Sequence, residues 1–275
     1  MIKTLFFFLF ITNIALAQKY TGDSWATVTS KGSGTLGVVY YPQPGLIYEE
    51  GGKIKGVCTE ILNDFVAYVQ TKHGKKITVQ YLGAEKVYSD FLKVCQTTPD
   101  ILGVTNVTIT EERKKLMKFT PPFLSNKETL ITHKNAPTIE NIKSLGTDLK
   151  GYTAVALTGS VHVKYIDQLK RDYLPSLTIT NGPSGGEILK QISADPKLFT
   201  ILDFTEYVDA TRKGLPVKWQ NVPIGDLQEL AFVMSKQTDW DKIWAEFLTP
   251  EYRKSEKYRK VIAANLGAAY LSMLK

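Results

Sequence analysis

Apolar residues along this chain follow two rhythms, and the rhythms alternate. "TLGVVYY" (35–41) is a short, continuous, β-branched apolar run, the pattern of a buried strand. From about Cys58 to Thr71 the spacing lengthens. Ile61, Leu62, Phe65, Val66 and Val69 recur three and four residues apart and give a helix one apolar face. Between the two, "IYEEGGKIKGV" (47–57) has short extended pieces on either side of Gly51-Gly52, a hairpin signal. "KKITVQYL" then reads as a strand, "VYSDFLKVCQ" as a helix, "DILGVTNVTI" as a buried strand and "ETLITH" as a further strand.

The pattern then restarts. "YTAVALTGS" is a strand running into a small-residue turn, "VHVKYIDQLKRDYL" a helix, "SLTITNG" a strand and "SGGEILKQISAD" a helix. "LFTILDFTEYVDATRKG" is a strand followed by a helix, and "ELAFVMSK" a strand again. Three helical segments close the chain, at about 239–248, 250–256 and 258–270. Residues 18–33 are polar and rich in Gly and Ser, so a loose lead-in is expected there. Alternating strands and helices point to an α/β layered sheet, because helical crossovers are how parallel strands are joined. Two such units are present, with no repeat short enough for a solenoid. A single continuous doubly wound domain is the alternative.

The first seventeen residues stand outside this pattern. "MIKTLFFFLFITNIALA" has one lysine, a short apolar run and then Ala15-Leu16-Ala17, the form of a secretory signal peptide with its cleavage site. The run is short for a membrane span; an uncleaved N-terminal anchor is the other reading. No cysteine follows it, so a lipoprotein anchor is not expected. A soluble, exported protein in the periplasm is.

Composition changes this picture little. The chain has 275 residues, 43% hydrophobic and 22% charged, which is ordinary globular material. Its formal net charge is +7, which becomes +6 when residues 1–17 are removed with Lys3 and no acid. Export and the scatter of the lysines argue against nucleic acid as a partner. Cys58 and Cys95 could pair in an oxidising compartment or lie as separate buried thiols. His73, His133 and His162 share no metal-ligand spacing with the cysteines, so neither a zinc site nor a cofactor is expected.

Three stretches carry candidate chemistry. In "NVTITEER" (106–113), Thr108, Thr110 and Arg113 surround a strand-to-helix turn. Arg113 stands where a capping box would place Glu or Gln. A guanidinium offers a planar fork for a carboxylate, and the helix start adds free amides. The plain reading is a surface arginine paired with Glu111 or Glu112. In "VALTGSVHV", a strand runs into Thr158, Gly159 and Ser160 and then a helix, which suits an anion or is simply a tight, capped turn. In "FTILDFTEYV", Asp203 ends an apolar strand, where ligands of open α/β sheets bind; it could take an ammonium group or cap the next helix. Together the three make a receptor for a zwitterion, with Tyr41 and Tyr48 as candidates for an aromatic wall.

Those residues resemble the bacterial periplasmic solute-binding proteins of the polar amino-acid class. "TITEERKKLMKFTPPF" is similar to the family signature, in which Thr-x-Thr-x-x-Arg leads into Phe-Ser-x-Pro-Tyr. "GVCTEILNDFVAYV" is similar to its first-helix segment, "TGSV" followed by Tyr165 to its second-lobe turn, and "ILDFT" to the strand end that carries its amine-binding acid. The likeness covers about residues 34–275. It implies an α/β, two-lobed, periplasmic-binding-protein-like (type II) fold with two crossover hinge strands. Lobe one would hold 34–127 and 229–275, and lobe two 128–228. It also implies roles: Arg113 for a ligand α-carboxylate, Thr108 beside it, Gly159 through a backbone amide with Thr158 and Ser160 flanking, and Asp203 for an α-ammonium. Asn106 stands where the family usually has a small residue, which implies a narrower pocket or an added hydrogen bond. Cys58 replaces a common Asp, and Phe119-Thr120 the commoner Phe-Ser.

The function so implied is capture of an amino acid, or a close analogue, and delivery to the permease of an ABC importer, by a monomer and without catalysis. Two other readings stand beside it. One is an enzyme similar to the cyclohexadienyl dehydratases, but the Glu of their second-lobe turn is replaced here by Val161. The other is a stand-alone ligand-sensing subunit.

Overall fold

The computed structural model describes residues 20–267 and 270–271; the stretch read as a signal peptide, 1–17, lies outside them. Helix α1 (Trp25–Lys31) leads into β1 (Ser33–Tyr40), the hairpin β2 (Tyr48–Glu50) and β3 (Lys53–Lys55), α2 (Val57–His73) and β4 (Lys76–Ala84). There follow α3 (Tyr88–Thr97), β5 (Ile101–Thr108), α4 (Glu111–Leu116), β6 (Lys118–Phe119) and β7 (Leu124–Asn126). The chain then crosses to a second unit: β8 (Glu128–His133), α5 (Leu145–Asp148), β9 (Thr153–Leu157), α6 (His162–Asp172), β10 (Thr178–Gly182), α7 (Gly185–Ala194), β11 (Leu198–Asp203), α8 (Phe204–Arg212) and β12 (Val217–Gln220). It returns through β13 (Gln228–Met234) and ends in α9 (Asp241–Phe247), α10 (Pro250–Lys254) and α11 (Glu256–Leu266).

Each unit has its own sheet. The first runs β4-β1-β5-β13-β6, with β7 also paired to β13. Strands β4, β1 and β5 are parallel, and β13 joins them antiparallel. The second runs β10-β9-β11-β8-β12, with β8 antiparallel to both neighbours. The chain crosses between sheets twice, from β7 to β8 and from β12 to β13. Every residue of β5 is buried, as expected for a central parallel strand covered on both faces. Close approach of α3 is part of this, since a Cβ placed on Gly103 would lie 2.2 Å from Cys95 Sγ.

The largest side chains anchor the first unit. Phe65 on α2 stacks on Trp244 of α9, with centroids 3.8 Å apart and planes 12° from parallel. The second unit has its own apolar cluster, which includes Ile166 and Leu169 of α6 and Phe199 and Ile201 of β11. A third cluster contains residues of both, among them Tyr88 and Phe91 from the first and Leu157 and Ile188 from the second. Cys58 and Cys95 are buried free thiols in different clusters, so the alternative of a Cys58–Cys95 bridge falls away.

The lead-in is not loose, contrary to the polar pattern of 18–33. Ser24 Oγ caps α1 by accepting from the Thr27 amide at 3.1 Å. Asp239 accepts from the amides of Trp25 and Ala26 at 2.6 and 2.8 Å, and the Trp25 ring sits 5.3 Å from Trp240. Partners more than two hundred residues away hold this turn, and a local pattern cannot reveal them. Among the described residues no helix is long and apolar enough to cross a membrane.

Candidate functional site

Strands of both units end at the same place. Strand β5 finishes at Thr108, β1 just before Tyr41, β9 just before the turn 158–160, and β11 at Asp203. The carboxyl ends of strands in open α/β sheets are where ligands bind. An inner cavity there of about 10 Å³ is lined by Tyr41, Tyr88, Asn106, Thr108, His162 and Asp203, among others. It opens beside a larger pocket of about 630 Å³, to which Tyr41 and Glu206 also contribute.

Arg113 owes its position to α4. Thr110 Oγ1 accepts from the Arg113 amide at 3.2 Å and starts the helix. The residue is 9% exposed. Nη1 donates to the Thr108 carbonyl and Nη2 to the Gly159 carbonyl, each at 3.0 Å, so the guanidinium bridges the two units. The Tyr88 ring lies 6.0 Å from it. Asp203, which lines the inner cavity, is 5% exposed. Its Oδ1 accepts from Asn126 Nδ2 at 2.6 Å, and its Oδ2 from Asn106 Nδ2. His162 Nε2 is 3.3 Å from the same Oδ1 and 2.7 Å from Glu128 Oε2. Burial opposes charging of this imidazole, but the negative charges of Glu128 and Asp203 override it and raise the His162 pKa well above its ordinary value. Glu206 reaches back from the first turn of α8 to accept from the Asp203 amide at 3.2 Å. Burial, and then the charge of Asp203, push its carboxyl up to about 8.

No protein-family model matches the chain. A curated relative is the "Probable amino-acid-binding protein YxeM" of Bacillus subtilis (strain 168), 24% identical over 197 residues, which are 71% of this chain and 69% of that protein. Among solved structures, a substrate-binding protein of an amino acid ABC transporter from Streptococcus pneumoniae Canada MDR_19A, bound to L-arginine, superposes with a TM-score of 0.69. It is 18% identical and covers 88% of this chain and 96% of that one. An ancestral arginine-binding protein bound to arginine gives 0.66 at 17% identity, over 85% and 98%. The ancestral amino acid-binding protein AncCDT-1, a precursor of cyclohexadienyl dehydratase, gives 0.66 at 17% identity, over 87% and 97%. The chain has the two-lobed amino-acid-binding-protein fold.

The cleft between the two units is narrow. About 10 Å³ holds roughly one water molecule. Several bonds cross the cleft besides that of Arg113. The Gly185 amide donates to Tyr41 Oη at 3.2 Å, and Gln43 Nε2 to Thr205 Oγ1 at 3.4 Å. The Tyr88 amide donates to the Pro183 carbonyl at 3.3 Å. As it stands, the inner cavity has room for nothing larger than water.

The expected site residues do not all meet in this cleft. Asn106, Thr108, Ser160, Asp203 and Tyr41 line the inner cavity, and Arg113 sits against it through Thr108. Asn106 adds a side-chain hydrogen bond, with Asp203 as its acceptor. Gly159 has φ +79°, which favours glycine, and it is the carbonyl that faces Arg113. Ser160 Oγ accepts from the His162 amide at 3.2 Å, just ahead of α6. Thr158 stays out of the inner cavity; its amide and hydroxyl both donate to the Gly182 carbonyl, at 3.2 and 3.3 Å, and close the turn. Tyr48 lies in the outer pocket instead, while Tyr41 borders both. Sequence reasoning missed Tyr88, Gln43, Asn126, Glu128, His162 and Glu206. An acid opening an apolar strand, as Glu128 does in "ETLITH", was the one signal available; burial of that acid was not legible.

Proposed function

We propose that this protein captures a free amino acid, or a close analogue, in the interlobe cleft and delivers it to the permease of an ABC importer on the outer side of the membrane. What supports the reading is that Arg113, bonded to carbonyls of both units, and Asp203, which lines the inner cavity, lie at the strand ends of one cleft in a chain with the amino-acid-binding-protein fold. The Arg113 fork exchanges its two carbonyl partners for the ligand α-carboxylate, with Thr108 and the turn 158–160 beside it. Asp203 takes the α-ammonium with Asn106 alongside. Tyr41 and Tyr48 pack on the ligand's side chain, which extends toward the outer pocket. Lobe one comprises 34–127 and 229–275, lobe two 128–228, and residues 1–17 direct export. Closure excludes water and strengthens both charged contacts. The binding step needs no catalyst and no second subunit. Mass spectrometry of small molecules released from freshly purified, denatured protein tests the reading: an equimolar amino acid supports it, and an equimolar compound without a carboxylate sinks it.

One observation favours a second reading. Glu206, raised to about 8, is a protonated carboxyl bordering the inner cavity, and a proton donor is what a dehydratase of this fold requires. An assay for product from prephenate decides between the two.

A further inference from the structure

Strands β8 and β11 are antiparallel, and their register sets Asp203 directly opposite Glu128. Directly opposed residues of an antiparallel pair point to the same face, with Cβ atoms about 5 Å apart, and like charges so placed repel. Both carboxylates are buried: Glu128 is 1% exposed and Asp203 5%. Among the described residues no lysine or arginine pairs with either; His162, the first residue of α6, is the ion-pairing partner of both. Asp203 has two asparagine amides as further donors. Glu128 has none, and its Oε1 is fully buried without a hydrogen-bond partner. One imidazolium against two buried carboxylates leaves one negative charge uncompensated, an expensive arrangement in a dry interior.

We propose that Glu128, His162 and Asp203 form a binding site for a divalent first-row transition ion of the zinc class. One donor atom from each, a Glu128 Oε, His162 Nε2 and an Asp203 Oδ, lies within 4.8 Å of the other two. Metal–ligand bonds of about 2.0–2.2 Å meeting at right-angle to tetrahedral geometry hold neighbouring donors about 2.8–3.6 Å apart. The observed separations from His162 Nε2 are 2.7 Å to Glu128 and 3.3 Å to Asp203, within or close to that range, and the two carboxylate oxygens lie within 4.8 Å of each other, so the ion draws the carboxylates together as it binds. A dication with neutral His162 brings this group of three to net zero. One imidazole and two carboxylates, with no thiolate, select a zinc-, manganese-, cobalt- or nickel-like ion over a soft one. His162 and Asp203 also line the inner cavity, so the ion's remaining positions face the cleft. The three ligands come from three elements of the second unit, and an ion held there competes with an α-ammonium for Asp203.

The test uses the untagged exported chain, stripped with chelator, then titrated calorimetrically with Zn²⁺ without any amino acid present, so that its outcome is independent of the transport reading. One equivalent should bind, and Glu128→Gln and His162→Gln should each weaken binding at least about 100-fold while far-UV circular dichroism stays unchanged. X-ray absorption on the zinc-loaded wild type covers the case in which a variant fails to fold, and should show one nitrogen and two carboxylate ligands. Absence of saturable one-to-one binding overturns the proposal. So does wild-type affinity in both folded variants, or a shell containing sulfur or several imidazoles.

Discussion

Arg113→Ala is the perturbation with the largest expected effect on amino-acid binding. Arg113 is 9% exposed, and its guanidinium already donates two hydrogen bonds of 3.0 Å to carbonyl oxygens. Ligand binding exchanges these neutral acceptors for a carboxylate. Hydrogen bonds to charged groups are worth about 1.5–3 kcal/mol each, so two give about 3–6 kcal/mol before the exchange is subtracted. The lower end is the better guide, because the carbonyl partners are given up. About 3 kcal/mol corresponds to a loss of affinity of roughly 150-fold. Arg113→Lys keeps the charge and loses the planar fork, and should fall between the two. Isothermal titration calorimetry with the amino acid that the wild type prefers provides the measurement, with circular dichroism and a thermal melt as controls for folding. A folded Arg113→Ala protein that binds within threefold of wild type would refute the assignment of this side chain to the carboxylate.

Three further outcomes concern the scaffold. Phe65→Ala removes the ring stacked on Trp244 and should cost about 3–5 kcal/mol in urea unfolding; a loss below 1 kcal/mol would contradict the packing. Gly103→Ala places a Cβ 2.2 Å from Cys95 Sγ and 2.8 Å from Val233 Cγ2, and should destabilise by about 1–3 kcal/mol. A melting temperature equal to that of wild type would show that α3 does not lie on β5 as described. Burial raises the pKa of both Cys58 and Cys95, so neither should react with a thiol reagent in the native state, and both should react after denaturation; native labelling of either is the contrary result.

Much of the fold was legible because its elements are long and strongly periodic. The face of α2 read from Ile61, Leu62 and Phe65 is buried as the spacing requires, and β5 was an uninterrupted apolar run. What escaped depended on distant partners. Helix α1 is short and polar and stands on Asp239 and Trp240; β12 is four residues long and is held by pairing with β8. Arg113 and Asp203 stood out in the sequence because each breaks a local expectation, a cation in a helix's first turn and an acid ending an apolar strand. Glu128 and His162 break none strongly. Only the register of β8 against β11 and the start of α6 bring them to Asp203.

The central claim is that the cleft takes a free amino acid, and a thermal-shift screen of the wild type against the common L-amino acids, one at a time, tests it most directly. A ligand at a hundred times its dissociation constant stabilises by about 2.7 kcal/mol, which for a chain of this size raises the melting temperature by about 5–11 °C at roughly 2–4 °C per kcal/mol. The account predicts such a shift for at least one amino acid, with calorimetry giving one site per chain. No shift for any of them at millimolar concentration, in protein shown to be free of copurified ligand, would contradict it.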